Sequence, residues 1–223
     1  MSAHRDLGRM ALAILGEHFA LEKKEIGADA RLAKNGMVFE TEVYSLGYAG
    51  QLCILRMKAM LGLMKMETVV VTPGNRDLPL INLDWVGVLG KETQIAELYD
   101  TQLAPYPAGA LAEFDAVKQQ GADLEELASE PHWYDAILYP CSFHKAGKGL
   151  SERFSSLAEG CLRVYAAQLA QAVSCDSAKK AEKNRAFAQR LFDEGGPAVD
   201  QVTKLFGRET AERLILRYMY GCA

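Results

Sequence analysis

The chain contains no apolar run approaching the roughly 20 residues that cross a bilayer. Its first residues, Met-Ser-Ala-His-Arg-Asp, carry no apolar signal core, so neither a membrane span nor secretion is expected. It has no Cys-x-x-Cys pair: the five cysteines, at 53, 141, 161, 175 and 222, are odd in number and scattered. That pattern argues against a zinc ribbon or a resident iron–sulfur cluster and suits reduced thiols in a cytosolic compartment. No Gly-x-Gly-x-x-Gly follows any strand pattern, so the flavin and nicotinamide fingerprint is missing. An excess of positive charge is also missing: 25 Lys and Arg stand against 29 Asp and Glu, and the net charge of −4 argues against nucleic acid as the main partner. Internal repeats and low-complexity linkers are also absent, and 223 residues suit a single domain spanning 1–223.

What the chain does contain is centred on residues 65–86, an apolar β-branched run (Thr68-Val69-Val70-Val71), a Pro73-Gly74-Asn75 turn and a second apolar run that starts at Leu78-Pro79. Turn chemistry between two runs of strand composition predicts consecutive antiparallel strands at the centre of a sheet. Before them, Leu7, Met10, Ile14, His18 and Leu21 recur at helical spacing over 5–25. Met37 to Ser45 alternates as a half-exposed strand, and Leu52 to Met60 reads as the next. Strands over 64–72, 78–88 and 93–100 complete a meander of five or six. Short helices are then expected over 108–119 and 122–129, an irregular loop over 130–150, and helices over 151–172, 179–192, 197–206 and 208–219. Strands first and helices flanking them give an α+β layered sandwich.

Asp84 is the residue that packing does not explain. A carboxylate inside a buried strand must find partners or stay protonated, so Asp84 is either a satisfied structural acid or a proton donor. Glu67, on the preceding strand, is either a second carboxyl facing Asp84 across a shared pocket or a solvated residue beside Lys65. Arg56 and Lys58 share one strand face and are either donors to ligand carboxylates or simply exposed. His132 and His144 have no second-ligand spacing, so no metal site is expected. Met57, Met60, Met64 and Met66 suit a core or an adaptable apolar pocket. The run Lys179, Lys180, Lys183 and Arg185 either docks an acidic protein or is a solvated helix face.

Two blocks resemble the ferredoxin-dependent bilin reductases, whose members carry a strand ending in a Pro-containing turn, then Asp-Leu-Pro-Ile, then an Asp and a Val. Here these stand as Thr72-Pro73, Asp77-Leu78-Pro79-Leu80 and Asp84-Trp85-Val86. The family's closing helix, Leu-x-x-x-Phe-Gly-x-x-x-x-Glu-Arg and a short apolar tail, is matched by Val202 to Phe206-Gly207, Glu212-Arg213 and Arg217-Tyr218-Met219-Tyr220. The resemblance covers most of 35–220 and excludes 105–150. It implies a three-layer α/β/α sandwich with a central antiparallel sheet, holding a linear tetrapyrrole such as biliverdin between the sheet and the C-terminal helices. It also implies no bound cofactor, single electrons from external reduced ferredoxin, and a cytoplasmic location, or the plastid stroma for an algal source. Asp84 falls on the family's central acid, Glu67 on a position held by His or Asn, and Thr93 on a hydroxyl residue near the ligand. The second acid of many members falls near Gly196, where this chain has Gly195-Gly196-Pro197. The chain is therefore expected to be a divergent bilin reductase, with Asp84 and Glu67 catalytic and Thr93, Arg56 and Lys58 substrate-binding. The alternatives are a reductase of a chlorophyll-derived linear tetrapyrrole and a tetrapyrrole-binding protein without turnover.

Overall fold

The computed structural model describes residues 6–128 and 130–222. The expected first helix begins at residue 5, which lies outside the described residues, as do 1–4, Ser129 and Ala223. In chain order the elements begin with α1 (Leu7–Gly16), β1 (Glu22–Lys24), β2 (Arg31–Lys34), β3 (Met37–Ser45) and β4 (Gly50–Ala59). β5 (Met64–Pro73), β6 (Leu80–Val88), β7 (Lys91–Tyr99), α2 (Ala108–Gln119), β8 (Glu125–Glu126) and β9 (Phe143–Lys148) follow. The chain then builds α3 (Ser151–Gln171), α4 (Ser177–Asp193), α5 (Pro197–Phe206) and α6 (Arg208–Glu212), which continues as a π-helical segment, Arg213–Met219.

One antiparallel sheet runs in the order β1-β3-β4-β5-β6-β7-β9-β8, with β2 also on β3. β5 and β6 lie at its centre, as the turn chemistry between their runs predicts. Both faces are covered, which explains the near-continuous apolar run of Val69, Val70 and Val71. Alternate residues serve opposite layers. Ile54, Val69, Val71, Ile81 and Leu83 pack with Leu7 and Ile14 of α1, Phe114 of α2 and Phe154 and Leu162 of α3. Cys53, Leu55, Val70, Leu80 and Tyr99 pack instead with Phe187 of α4, Val202 of α5 and Leu214 and Ile215 of the π-helical segment. The result is a three-layer α/β/α arrangement. The helical face expected for α3, from Phe154 to Leu169, is buried as predicted.

Three expectations are corrected. The first helix ends at Gly16 rather than at 25, and Glu22–Lys24 is an edge strand paired with Val43–Ser45. Residues 122–128 are not helical, Ser129 lying outside the described residues: Glu125 and Glu126 pair with Ala146 and Lys145. The expected loop over 130–150 holds β9, whose residues 143–148 pair with β7. Pro140 and Gly149 flank a strand of only six residues that itself contains Gly147, and this punctuation masked the alternation of Phe143 and Lys145.

The basic run on α4 is not wholly solvated. Lys180 is fully buried and donates to the carbonyls of Leu78 (2.5 Å) and Thr101 (2.7 Å). Lys183 donates to the Gln102 carbonyl, and Asn184 Nδ2 to the Pro73 carbonyl at 2.9 Å. These bonds pin α4 to the β5–β6 connection and to the chain leaving β7. Burial lowers the Lys180 ammonium to about 8. Lys180→Ala removes two buried donor bonds and leaves a cavity, so it should cost about 2–4 kcal/mol. An unshifted urea midpoint in that variant would show that the clamp contributes nothing.

Candidate active site

The register of the central strands assembles one polar cluster. Thr68 stands opposite Asp84, Asp84 opposite Ile95, and Ile95 opposite His144. One row along, Val70, Asn82 and Glu97 are aligned. Because side chains alternate, Thr68, Asn82, Asp84, Glu97, Tyr99 and His144 all face the α4–α6 layer. There the first five form the floor of a cavity of about 240 Å³, and His144 stands behind Glu97. Its walls are largely apolar: Phe39, Leu55, Met66, Val86 and Ile95 from the sheet, and Val199, Val202, Ile215 and Met219 from the helices. Tyr134 and Tyr220 close one end.

Asp84 is half-buried and lines this cavity. Thr68 Oγ1 donates a short hydrogen bond to Asp84 Oδ1, and Asn82 Nδ2 donates to Asp84 Oδ2 at 2.7 Å. The same Asn82 amide reaches Glu97 Oε2 at 3.2 Å. Glu97 is 6% exposed; its Oε2 accepts from Tyr99 OH at 2.5 Å and its Oε1 lies 2.9 Å from His144 Nε2. Burial raises the Asp84 carboxyl to about 6, and the negative charge of Glu97 adds to it, against the bonds from Thr68 and Asn82 and the charge on His144. The bond to Glu97 raises the His144 imidazole above its ordinary value, against burial. Burial pushes the Tyr99 and Tyr220 hydroxyls well up, so both remain donors at neutral pH. The floor thus holds a carboxyl that exchanges its proton near neutrality inside an apolar enclosure.

The expected site residues divide by strand parity. Asp84 stands at the centre of the floor. Thr93 shares its face and lies opposite Val86, a wall residue, towards the outer end of β6 and β7. Glu67 is corrected: it stands opposite Trp85, one position off Thr68, and its side chain emerges on the α1–α3 face. There Glu67 Oε2 accepts from the Leu7 backbone N–H at 2.6 Å, at the first turn of α1, where a carboxylate complements the helix dipole. Arg56 faces the same way and is held by Asp6 Oδ1 (2.9 Å) and Glu42 Oε1 (2.7 Å). Lys58 is exposed beside Glu40 at 3.9 Å. Neither cation reaches the cavity. Gly196 lines the cavity and brings no carboxyl with it.

Glu97 was missed in the sequence, and His144 was weighed only as a metal ligand. Glu97 was legible in principle, since the tight β6–β7 connection fixes Thr93, Ile95, Glu97 and Tyr99 on the Asp84 face. His144 was hidden because its strand looked like a loop. The raised Asp84 carboxyl also carries a stability consequence. A carboxyl whose folded value lies above its unfolded value loses stability as pH rises from about 4 through 6. Asp84→Asn should therefore be more stable than the parent at pH 8, by up to about 3 kcal/mol, with the gain vanishing below pH ~4. Thermal melts across pH test this; a variant less stable at pH 8 would show that the charged form is well solvated.

No family model and no curated protein matches the sequence. Among solved structures, the crystal structure of phytochromobilin synthase from tomato in complex with biliverdin matches with a TM-score of 0.76 at 12% identity. The match covers 97% of this chain and 82% of that one. The sheet order, the two helical layers and the cavity between them belong to a chain with the fold of phytochromobilin synthase.

Proposed function

We propose that the protein reduces a linear tetrapyrrole held between the sheet and the α5–α6 layer, with single electrons from reduced ferredoxin and a proton from Asp84. The observation that carries this reading is Asp84 itself: a carboxyl raised to about 6 on the floor of an apolar cavity. That cavity lies in a fold whose tomato representative was solved with biliverdin. Adding two electrons and two protons across a double bond of the pigment consumes one proton per electron. Protonation by Asp84 makes the pigment cationic and so easier to reduce, and a general acid titrating near the working pH suits that task. Thr93 meets the outer edge of the pigment. The cavity is smaller than the roughly 300–1,000 Å³ of ligand sites, but Tyr220 also borders a second, more polar cavity of about 330 Å³ beside Gln51, Thr72 and Asn184. An extended pigment needs more room than the first cavity alone, and the second lies on the other side of Tyr220.

The test is an anaerobic absorbance titration with biliverdin, followed by reduced ferredoxin. A shifted bilin band and then a new stable band are expected. Asp84→Asn should retain the first shift and lose turnover by about 10²-fold or more. Wild-type turnover by Asp84→Asn would sink the role of Asp84. A shifted band that never converts would mean a binding protein, and a response only to a chlorophyll-derived linear tetrapyrrole would change the substrate.

A further inference from the structure

Asp84 supplies one proton, whereas the proposed reduction needs two for every two electrons. The floor holds a second acid that the reading so far leaves idle. Glu97 borders the same cavity and is tied to Asp84 through one amide, Asn82 Nδ2, which donates to both carboxyls at 2.7 and 3.2 Å. A carboxylate this buried needs compensation. Glu97 obtains it from Tyr99 OH at 2.5 Å and from His144 Nε2 at 2.9 Å. His144 does not line the cavity; it stands behind Glu97 on β9, and its side chain is 22% exposed. The order from outside to inside is therefore solvent, His144, Glu97, cavity.

We propose that Glu97 is the second proton donor to the bound tetrapyrrole, and that His144 recharges it from solvent. This rests on the reading of the cavity as a site of tetrapyrrole reduction. The balance is as follows. An external one-electron carrier delivers two electrons in succession. Asp84 gives up the proton that makes the pigment cationic, and the first electron produces a neutral radical. The second electron and a proton from Glu97 complete the reduced bond. The Glu97 proton comes from the His144 Nε2–H, the imidazole takes a replacement from water, and Asp84 is reprotonated before the next cycle. Moving the proton from Nε2 to Oε1 converts an ion pair into a neutral pair, so the buried cluster changes no net charge in loading its acid.

The groups facing this pair set its titration. Asp84 faces it from β6, Tyr99 from β7, Tyr134 and Asp135 from the turn at Trp133–Ile137, and Tyr220 from the chain after the π-helical segment. His132 stacks on Tyr134 with ring centroids 4.8 Å apart. Beside Glu97, the carboxylates of Asp135 and Asp84 also favour the protonated form of His144. The donating form of the relay is thus present below the raised imidazole value and is lost as pH rises through it.

The experiment is anaerobic single turnover with biliverdin and reduced ferredoxin, followed by absorbance and electron paramagnetic resonance. Glu97→Gln should bind the pigment with an unaltered band, accept the first electron, accumulate the radical and form product about 100-fold more slowly. His144→Ala should slow the second step, remove the alkaline fall of the rate–pH profile, and recover rate when imidazole is added. A merely structural role for His144 would give no such rescue. Because His144 is partly exposed, this variant tests the relay even if Glu97→Gln does not fold. Wild-type kinetics in Glu97→Gln, or an unchanged pH profile without imidazole rescue in His144→Ala, would overturn the relay. Failure of the wild-type protein to convert any tetrapyrrole would instead overturn the underlying reading, before any variant is made.

Discussion

Thr68 and Asn82 grip the Asp84 carboxyl from two sides while burial works against its charge. The balance between these forces depends on everything around it. β5 and β6 must sit centrally, so that both of their faces are covered. The α4–α6 layer must stand off the sheet far enough to leave a cavity and close enough to keep it apolar. The clamp of Lys180, Lys183 and Asn184 fixes one side of that layer to the strand ends through backbone carbonyls. A carboxyl held this way costs stability at neutral pH, and such a cost persists where the surrounding structure determines the geometry.

Carboxyls on neighbouring strands meet different fates for one reason, which is the layer that each side chain enters. Burial works to raise Glu42, yet the bonds from Lys23, Tyr44 and Arg56 outweigh it and hold that carboxyl at about 2. Glu67 is spent on the first turn of α1. Asp84 and Glu97 enter the other layer, where no lysine or arginine appears among the described lining residues of the cavity. Cations on one face make ion pairs that attach α1 and the sheet edge. With none of them lining the other floor, burial is free to raise Asp84.

Much of this was legible in the sequence. The β-branched run, the Pro-Gly-Asn turn and the single acid at 84 located the centre of the sheet and its most unusual residue, and the spacing from Phe154 to Leu169 located the longest helix. The errors have physical causes. Glu67 was set against Asp84 because the register between two strands depends on how a six-residue connection folds, and a shift of one residue reverses the face. In the structure that connection is docked rather than tight: Gly74 and Asn75 donate to the carbonyls of Ala49 and Tyr48, and Asp77 accepts from Leu103 and Ala104. Arg56 and Lys58 were read for a ligand because alternation gives a face and not the layer that it meets. β9 was lost because it is short, glycine-bounded and paired with a strand nearly fifty residues earlier, a contact that no local pattern announces.

Pairing the second acid with a histidine bears on the first. Asp84 and Glu97 share the Asn82 amide, and two lone carboxylates so close would each raise the other. With His144 protonated, the Glu97 charge is largely answered at 2.9 Å, and Asp84 is raised mainly by its own burial. Were the imidazole absent, the full Glu97 charge would bear on Asp84, lifting it further and making it a weaker acid. The arrangement therefore sets a carboxyl raised by burial against the cavity and, one amide away, a carboxylate that meets an imidazole at 2.9 Å. In the proposed relay, storing the second proton on that pair adds little charge to a low-dielectric enclosure.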